Sequence, residues 1–392
     1  MKKYEFISKN KGLTLFNNIH IQDTGINLTG ENKDHDSGNK RIKERKVMKM
    51  EHVDISVNGE KQQLEAETSI LQLLEERDVD PQVAVVKIND SIIENKEQMA
   101  ETELKSGDEI EIIFFMGGGS FDLSEEEIER YSRHIILKEL GGAGQQKIKD
   151  ASILVAGTGG LGSPTAFYLA AAGVGKLGLV DSDVVDLSNL QRQILHSTPD
   201  VDRPKVDSAV EKLRALNPGV DIKTYHSYLN KENIFDIIAD YDVVVDGVDN
   251  FPTRYLINDA CVLTDTPLVE AGILRFQGQV MTILPGEGPC YRCVFREPPQ
   301  EGAVPACREA GVLGAVAGTI GTLEATEALK LVTDIGEPLV GRLLIYDALK
   351  TSFREVNIEH DQECPLCGEE PEITELQEYE LECELHDEGQ GR

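Results

Sequence analysis

The sequence predicts an α/β protein, a doubly wound and mainly parallel sheet with an antiparallel extension, preceded by a small α+β domain. Three observations predict it. From residue 120 onward, apolar strand-like runs alternate with helix-like segments. A glycine-spaced turn joins the first of those strands to the helix after it. Before residue 120 the pattern differs: short strands surround one helix and stop at three glycines, Gly117 to Gly119.

Taken in order, residues 1–50 are rich in Lys, Asn and Asp and hold no sustained period of either kind, which predicts a disordered or weakly ordered leader. Met48 and Met50 stand just before the first patterned segment, so the native start is expected at 1 or there. Residues 51–119 form the small domain. "VDISVNGEKQQL" alternates like a hairpin about Asn58-Gly59. "SILQLLEERDV" has helical spacing with Thr68 or Ser69 as N-cap, and "QVAVVKINDSII" and "DEIEIIFF" supply two further strands.

In residues 120–368, "SILVAG", "KLGLVDSD", "DIKTYH" and "DVVVDG" read as strands, separated by "SPTAFYLAAAG", "PKVDSAVEKLRALN" and "NIFDIIAD" as helices. "GQVMTILPG" and "GRLLIYDA" add the antiparallel extension, around a long helix "GTIGTLEATEALKLVT". Residues 369–392 carry ten acidic residues and one arginine and read as a loosely held tail.

Composition excludes several classes. No apolar run approaches the roughly 18 residues that cross a bilayer, and the basic first residues lack the apolar core and cleavage site of a secretory signal. The expectation is a cytoplasmic protein with no membrane partner. A formal net charge of −31 argues against nucleic acid, whose binding is driven by Lys and Arg neutralising phosphates. Seven cysteines in such a chain suggest a metal site plus free thiols and not a disulfide framework.

"ILVAGTGGLGSPTAFYLAAAG" puts Gly157, Gly159 and Gly162 at GxGxxG spacing between a strand and a helix, the Rossmann-like arrangement for a tight turn, close backbone approach to phosphate and anion binding at a helix N-terminus. Asp181 ends the next strand, where a carboxylate takes ribose hydroxyls. These features alone suit an NAD-dependent dehydrogenase equally well. The block "DLSNLQRQILHSTPDVDRPKVDSA" then places Asn189, Arg192 and Lys205 just beyond the ribose acid. That much positive charge suits a triphosphate, because displacement at phosphorus is catalysed mainly by positioning and by neutralising oxygens.

"DVVVDGVDNFPTR" adds Asp246, Asp249 and Asn250 at a strand's carboxyl end. Asp249 is the better candidate for Mg²⁺, since hard cations prefer carboxylate and phosphate oxygens, and Asp246 could be a turn residue bonded to its own loop. "PCYRC" and "ECPLCG" supply Cys290, Cys293, Cys364 and Cys367, with 71 positions from Cys293 to Cys364. Four thiolates in two knuckles make a closed tetrahedral Zn²⁺ site, structural because no position is left for substrate. Cys261, in "INDACVL", reads as a small buried helix residue, and Cys383 has no assignable role.

Together "RYSRHIIL", "GTGGLGSP", "DLSNLQRQ", "DGVDNFPTR", the two cysteine pairs and "ACREAGVLGAVAGTIGTLEATEALK" closely resemble the MoeB/ThiF/HesA family of ubiquitin-activating-type adenylyltransferases, from Leu123 to Gly368. Residues 51–119, ending in "LKSGDEIEIIFFMGGG", resemble the ubiquitin-like β-grasp sulfur carriers, ThiS first and MoaD second. The resemblance implies ATP·Mg²⁺ as co-substrate, with Gly160 and its neighbouring glycines on the phosphates, Asp181 on the ribose, Asn189, Arg192 and Lys205 on the triphosphate and Asp249 on the metal. It implies that Arg133 reaches into a partner subunit's site, hence a homodimer. It also implies that Cys307 links covalently to the carrier's acyl end, a role that some MoeB-like members do without.

The reaction so implied is attack by a carrier's C-terminal glycine carboxylate on the α-phosphorus of ATP, giving an acyl-adenylate and pyrophosphate. No general base is required, since an α-carboxyl of pKa about 3.5 is already ionised at neutral pH. The adenylate then receives sulfur from a separate persulfide donor. Thiamine thiazole synthesis is the favoured pathway, with molybdopterin synthesis and tRNA thiolation as alternatives. The resemblance makes Gly118 and Gly119 the carrier tail, in keeping with the ability of residues without a Cβ to thread a narrow channel. Within the intact chain Gly119 is joined to Ser120 and has no free carboxylate. Either the chain is cut after Gly118 or Gly119, or the tethered domain is a docked, regulatory placeholder for a carrier on another chain; a flexible linker is the plain alternative.

Overall fold

The computed structural model describes residues 52–377 apart from 78, 80, 82–83, 90, 94–95, 115–121 and 300–309. The leader, the glycines Gly117 to Gly119, Cys307 and Cys383 lie outside the described residues.

The small domain is a five-stranded mixed sheet crossed by one helix. Strands β1 (His52–Val57) and β2 (Glu60–Glu65) form the expected hairpin, and Asn58 and Gly59 both take positive φ, +50° and +84°, as a two-residue turn requires. Helix α1 (Ile70–Glu76) starts at Ser69: its hydroxyl accepts from the Gln72 amide at 3.3 Å, while the Gln72 side chain accepts from the Ser69 amide at 2.8 Å. The stretch "QVAVVKINDSII" is not one strand. It breaks at Asn89, φ +53°, into β3 (Ala84–Ile88) and a short antiparallel β4 (Ser91–Ile93). A further short helix, α2 (Lys96–Glu101), precedes β5 (Glu109–Phe114). The order is β2-β1-β5-β3-β4, with β5 parallel to β1 at the centre. Ile70, Leu73, Leu74 and Met99 fill the core against Val57, Val86 and Ile110.

The larger domain opens with helices α3 (Glu125–Arg130), α4 (Ser132–Ile135) and α5 (Gly141–Asp150). Eight strands follow in the order β13-β12-β11-β10-β9-β6-β7-β8. Those from β8 (Asp221–Tyr225) through β7 (Lys176–Val180), β6 (Ser152–Ala156) and β9 (Val243–Asp246) to β10 (Leu268–Leu274) run parallel. β11 (Gln277–Ile283), β12 (Arg342–Asp347) and β13 (Ser352–Asn357) extend the sheet antiparallel from β10. The predicted doubly wound sheet and its extension are both present.

Both faces are covered, as the continuous apolar runs of the central strands require. Helices α6 (Gly162–Ala172), α7 (Lys205–Leu216) and the 20-residue helix Gly314–Thr333 bury one face around Leu169, Leu177, Leu213 and Ile320. Helices α8 (Ile234–Ile238), α9 (Phe251–Leu263) and α10 (Tyr291–Val294) bury the other around Leu154, Ile257 and Met281. No helix among the described residues is long and apolar enough to cross a membrane.

Candidate functional site

The chain winds from β6 outward to β7 and β8, then returns to the opposite flank of β6 at β9. At that reversal the loops after β6 and β9 diverge and open a crevice at the strands' carboxyl ends, the place where open α/β sheets take ligands. A cavity of about 1130 Å³ occupies it. Of the residues singled out in the sequence, Gly157, Gly159, Gly160, Asp181, Arg192, Lys205, Asp249 and Asn250 line this one cavity. Gly162, Asn189 and Arg133 do not.

The glycines divide into two kinds. Gly157 has φ +88°, and a Cβ there would stand 2.9 Å from the Gly247 carbonyl oxygen; a Cβ on Gly162 would fall 1.8 Å from the Gly157 oxygen. Those two are demanded by the fold alone, since they let α6 close onto β6 and β9. A Cβ on Gly159 or Gly160 would meet its nearest neighbours at 3.5 Å, ordinary contact. The protein itself leaves room there, and the room faces the cavity.

The loop is held from both sides. Asp181 Oδ2 accepts from the Thr158 amide (2.8 Å) and hydroxyl (3.0 Å), and its Oδ1 accepts from the Asp183 amide at 2.9 Å. The predicted ribose acid therefore also fixes the glycine turn. On the other side, the buried His196 ring lies with Nε2 3.0 Å from the Thr158 carbonyl oxygen and Nδ1 3.0 Å from the Ser208 hydroxyl. Burial lowers the His196 pKa, keeping the ring neutral so that one nitrogen donates and the other accepts.

Lys205 begins α7 almost fully buried, with its ammonium 2.7 Å from the half-exposed Asp183 carboxylate. Arg192 is half-buried and donates through Nη1 to the Ser188 carbonyl at 3.1 Å. Asn189 caps: its side chain accepts from the Asp186 amide at 3.2 Å in the short 3₁₀ turn Leu187–Asn189 that carries Arg192 into place. Asp183, His196 and Gln193 escaped the sequence reading. The repeated acid in "VDSD" signals the first; nothing in a single sequence separates the other two from ordinary turn residues.

On the far wall, Asn250 is the N-cap of α9, accepting from the Thr253 amide at 2.9 Å, and Asp249 is exposed at the mouth. Asp246 is a turn residue, as its sequence position allowed, accepting from the Val248 amide at 2.9 Å. It is also fully buried and paired with Arg254 at 3.3 Å. Arg254 donates to the carbonyls of Val248 (3.0 Å) and Ala271 (2.7 Å) and lies 3.1 Å from the buried Glu270. It thus braces the loop that presents Asp249. Burial raises the Asp246 pKa and pushes Glu270 up to about 7 despite Arg254.

Cys290, Cys293, Cys364 and Cys367 come together, with Sγ separations of 4.0 Å (290–293), 3.6 Å (290–364) and 3.5 Å (293–367). Tetrahedral zinc with bonds of about 2.3 Å sets its sulfurs about 3.8 Å apart, so the cluster fits that ion. The knuckle is fastened to α9: the Tyr291 amide donates to Asn258 at 2.9 Å, and Arg292 binds the buried Asp259 through Nε (2.7 Å) and Nη2 (2.9 Å). The same helix therefore joins the cysteine cluster to the wall of the cavity. Cys261, also on α9, is fully buried as expected, and burial pushes its thiol well above the ordinary range.

Arg133 sits on α4, exposed, 3.5 Å from Glu111 on β5 of the small domain. Val85 packs with Ile128, Tyr131 and Ile135 beside that pair, and no described residue of the small domain lines the cavity.

Residues 131–366 match the model of the ThiF family, and residues 54–119 that of the ThiS family. The chain is 51% identical to a sulfur carrier protein adenylyltransferase of Thermus thermophilus over 67% of its own length and 98% of that protein's. It is 49% identical to a SAMP-activating enzyme E1 of Haloferax volcanii, covering 64% of this chain and 92% of that one. It is 50% identical to the adenylyltransferase and sulfurtransferase MOCS3 of Sus scrofa over 67% of this chain but only 58% of that protein. Among solved structures, E. coli MccB with ATP matches with a TM-score of 0.54 at 22% identity, covering 61% of this chain and 74% of that one, a likeness of fold.

Proposed function

The chain belongs to the ThiF family, and from that premise we propose that it adenylylates the C-terminal glycine of a ubiquitin-like sulfur carrier, using ATP·Mg²⁺. The observation that carries the proposal is the convergence of Gly159, Gly160, Arg192, Lys205 and Asp249 on one cavity at the switch point of the sheet. Two buried or half-buried cations and a glycine cradle suit a triphosphate. The carrier carboxylate and ATP are both anions, so the work of the site is to hold them together and neutralise the charge that grows on the phosphoryl oxygens. In the step itself a carboxylate oxygen bonds to the α-phosphorus and the bond to pyrophosphate breaks.

In this reading Asp249 would hold the magnesium ion, because it offers an exposed carboxylate beside the phosphate cradle. The cysteine cluster would hold zinc and leave no open position. Arg133 from a second copy would complete the site of a cytoplasmic homodimer, Cys307 would take the acyl group, and a persulfide on a separate protein would deliver sulfur. The ThiS match of residues 54–119 favours a thiamine-type carrier, while the names of the MOCS3 and MoeZ relatives suit a molybdopterin-type carrier as well.

Pyrophosphate exchange into ATP tests the proposal. The full chain should show exchange that depends on an added carrier, and comparing ThiS-type with MoaD-type carriers should rank the pathways. Asp249→Ala and Arg192→Ala should each lower the rate by about 100-fold or more, the usual loss when one charge-stabilising group is removed. Exchange that is equal without any carrier, or that survives both substitutions, would remove the assignment. The intact mass of the protein from its own cells tests whether the bond after Gly118 or Gly119 is cut.

A further inference from the structure

The sheet of the small domain uses one face for its own core. Ala84, Val86, Ile88, Ile93, Ile110 and Ile112 pack there with α1. Strand residues alternate, so Val85, Lys87, Ile92 and Glu111 lie on the opposite face, with Lys87 in register with both Ile92 and Glu111. Such a face is commonly solvated. Here Val85 is only 7% exposed, covered by Ile128, Tyr131 and Ile135 of the α3–α4 pair, with Ile92 and Leu123 packed alongside. Two ion pairs of opposite polarity flank the contact, Lys87 to Glu129 at 3.4 Å and Arg133 to Glu111 at 3.5 Å.

The α3–α4 pair stands on the side of the large sheet away from the cavity. Helices that follow parallel strands run back, so their carboxyl ends lie at the strands' amino ends. Tyr131 is seated on two such ends: a Cβ on Gly173, the C-cap of α6, would come within 2.3 Å of its ring, and its hydroxyl accepts from Nδ2 of Asn217, the C-cap of α7, at 2.8 Å. The segment before α3 is fixed there too, the Asp122 amide donating to Gln146 of α5 at 2.9 Å and Lys149 donating to the Asp122 carbonyl. α5 ends where β6 and β7 begin, with the Gly175 amide donating to the Ile148 carbonyl at 3.2 Å and the Lys176 amide to the Ala151 carbonyl at 3.0 Å. The cavity opens at the other end of these strands, a length of about 16 Å for the five residues of β7. Gly119 precedes Asp122 by three residues, a reach of about 11 Å at most. With Asp122 held on α5, the uncut chain is too short to bring Gly119 into its own cavity.

The geometry points to α3–α4 as a docking surface for the sheet face of a ThiS-type domain, here the domain of the same chain, on the side of the large sheet opposite the cavity. One covered valine and two solvent-exposed ion pairs make a weak contact, which the tether renders effective by raising the local concentration. The surface thus parks the domain and leaves the cavity of the uncut chain to a carrier of another chain. The docking needs only the ThiS match of residues 54–119 and stands apart from the adenylylation reading.

Hydrogen exchange read by mass spectrometry on the full chain tests it. Val85 lies outside the small-domain core, so Val85→Asp sets a carboxylate against Ile128 and Tyr131 without touching that core. Amides within 123–136 should exchange about tenfold faster or more, since the buried charge has no partner there, while β1, β5 and the cavity loops at 157–161 and 247–250 keep their wild-type rates. Lys87→Glu places a carboxylate beside Glu129 and Glu111 and should give a smaller rise in the same segment, reversed when Glu129→Lys is added. This pair decides the matter if Val85→Asp also loosens β1 and β5. Rates within 123–136 that neither Val85→Asp nor Lys87→Glu raises overturn the docking. Faster exchange at 157–161 or 247–250 would place the domain over the cavity, and protection that falls on dilution would give the surface to a second copy's domain; each overturns the assignment. Absence of pyrophosphate exchange would sink the enzymatic reading and leave these protections unchanged.

Discussion

Helix α9 touches two buried arginine–carboxylate groups, and they are satisfied to different degrees. On the cysteine side, Arg292 and Asp259 meet one to one in a fork, Arg292 Nη1 donates to the Arg296 carbonyl at 3.0 Å, and the guanidinium lies 4.7 Å over the Tyr255 ring. On the cavity side, Arg254 alone faces Asp246 and Glu270. Its Nε proton points to Asp246, so Glu270 has charge contact at 3.1 Å but neither oxygen is hydrogen-bonded. Glu324, buried nearby, bonds Thr165 at 2.9 Å through one oxygen and has no partner on the other. Beyond the small domain, Gln193, Glu270 and Glu324 hold all the buried side-chain polar atoms without partners among the described residues. Complete pairing marks the part of the helix that holds the fold, and surplus polarity marks the part beneath or beside the cavity.

The comparison breaks first, and hardest, on the cysteine side. One zinc per chain is expected by atomic absorption, and Cys364→Ser should lose both the metal and the folded state at moderate temperature, because metal binding and folding are one equilibrium at such sites. Next, Arg292→Met leaves the buried Asp259 carboxylate without its guanidinium, although the Asn258 side chain still donates to it at 3.1 Å, and should lower the unfolding free energy by about 3 kcal/mol, read from denaturant midpoints. A loss below about 1 kcal/mol would show that the fork does not fasten the knuckle.

The same contrast explains how much could be read from the sequence. The parallel sheet, its antiparallel extension, the cysteine cluster and seven of the eight cavity residues follow from local patterns: alternation, glycine spacing, CxxC pairs, polar residues at strand ends and the basic pair beyond the second strand; Gly160 enters only through the family resemblance. The hairpin β3–β4 is not legible because "KINDSII" carries its turn at Asn89, between two apolar runs that read as continuous. Glu270 and Arg254 are hidden in the sequence for a different reason. Their meaning lies in β9, β10 and α9 coming together, and a Glu in "LVEAGIL" looks like a strand residue until its burial is known. His196 likewise acquires a role only when Thr158 is folded against it.

Glu270→Gln sharpens the cavity side. Burial holds the Glu270 carboxyl at about 7, against an ordinary 4.5, so the folded chain binds a proton that the unfolded chain releases earlier. Stability from this group is full below about pH 4.5 and is lost as pH rises through about 7. Above that, the buried charge costs about 3 kcal/mol by the difference in pKa. The Gln variant should therefore match the wild type in acid and exceed it by up to about 3 kcal/mol at alkaline pH. Parallel stability curves across that range would mean that Arg254 fully compensates Glu270, and the two ends of α9 would no longer differ in kind.

The smallest effect on stability and the sharpest on function should come from Gly160→Ala. A Cβ there meets Ala317 and Arg192 only at ordinary contact distance, and the residue does not need a positive φ. The change should leave the chain as stable as before, or up to about 1 kcal/mol more stable because the unfolded chain loses freedom. The methyl group would nevertheless stand in the cradle, so ATP affinity should fall while nucleotide-free unfolding is unchanged or improved. Gly162→Ala is the opposing control: its Cβ would overlap the Gly157 oxygen and should destabilise the chain with or without nucleotide. If both alanines behave alike, the glycines have one role and not two. If they diverge, the loop separates into residues kept for the fold and residues kept for the ligand, as the unsatisfied groups beside the cavity already suggest.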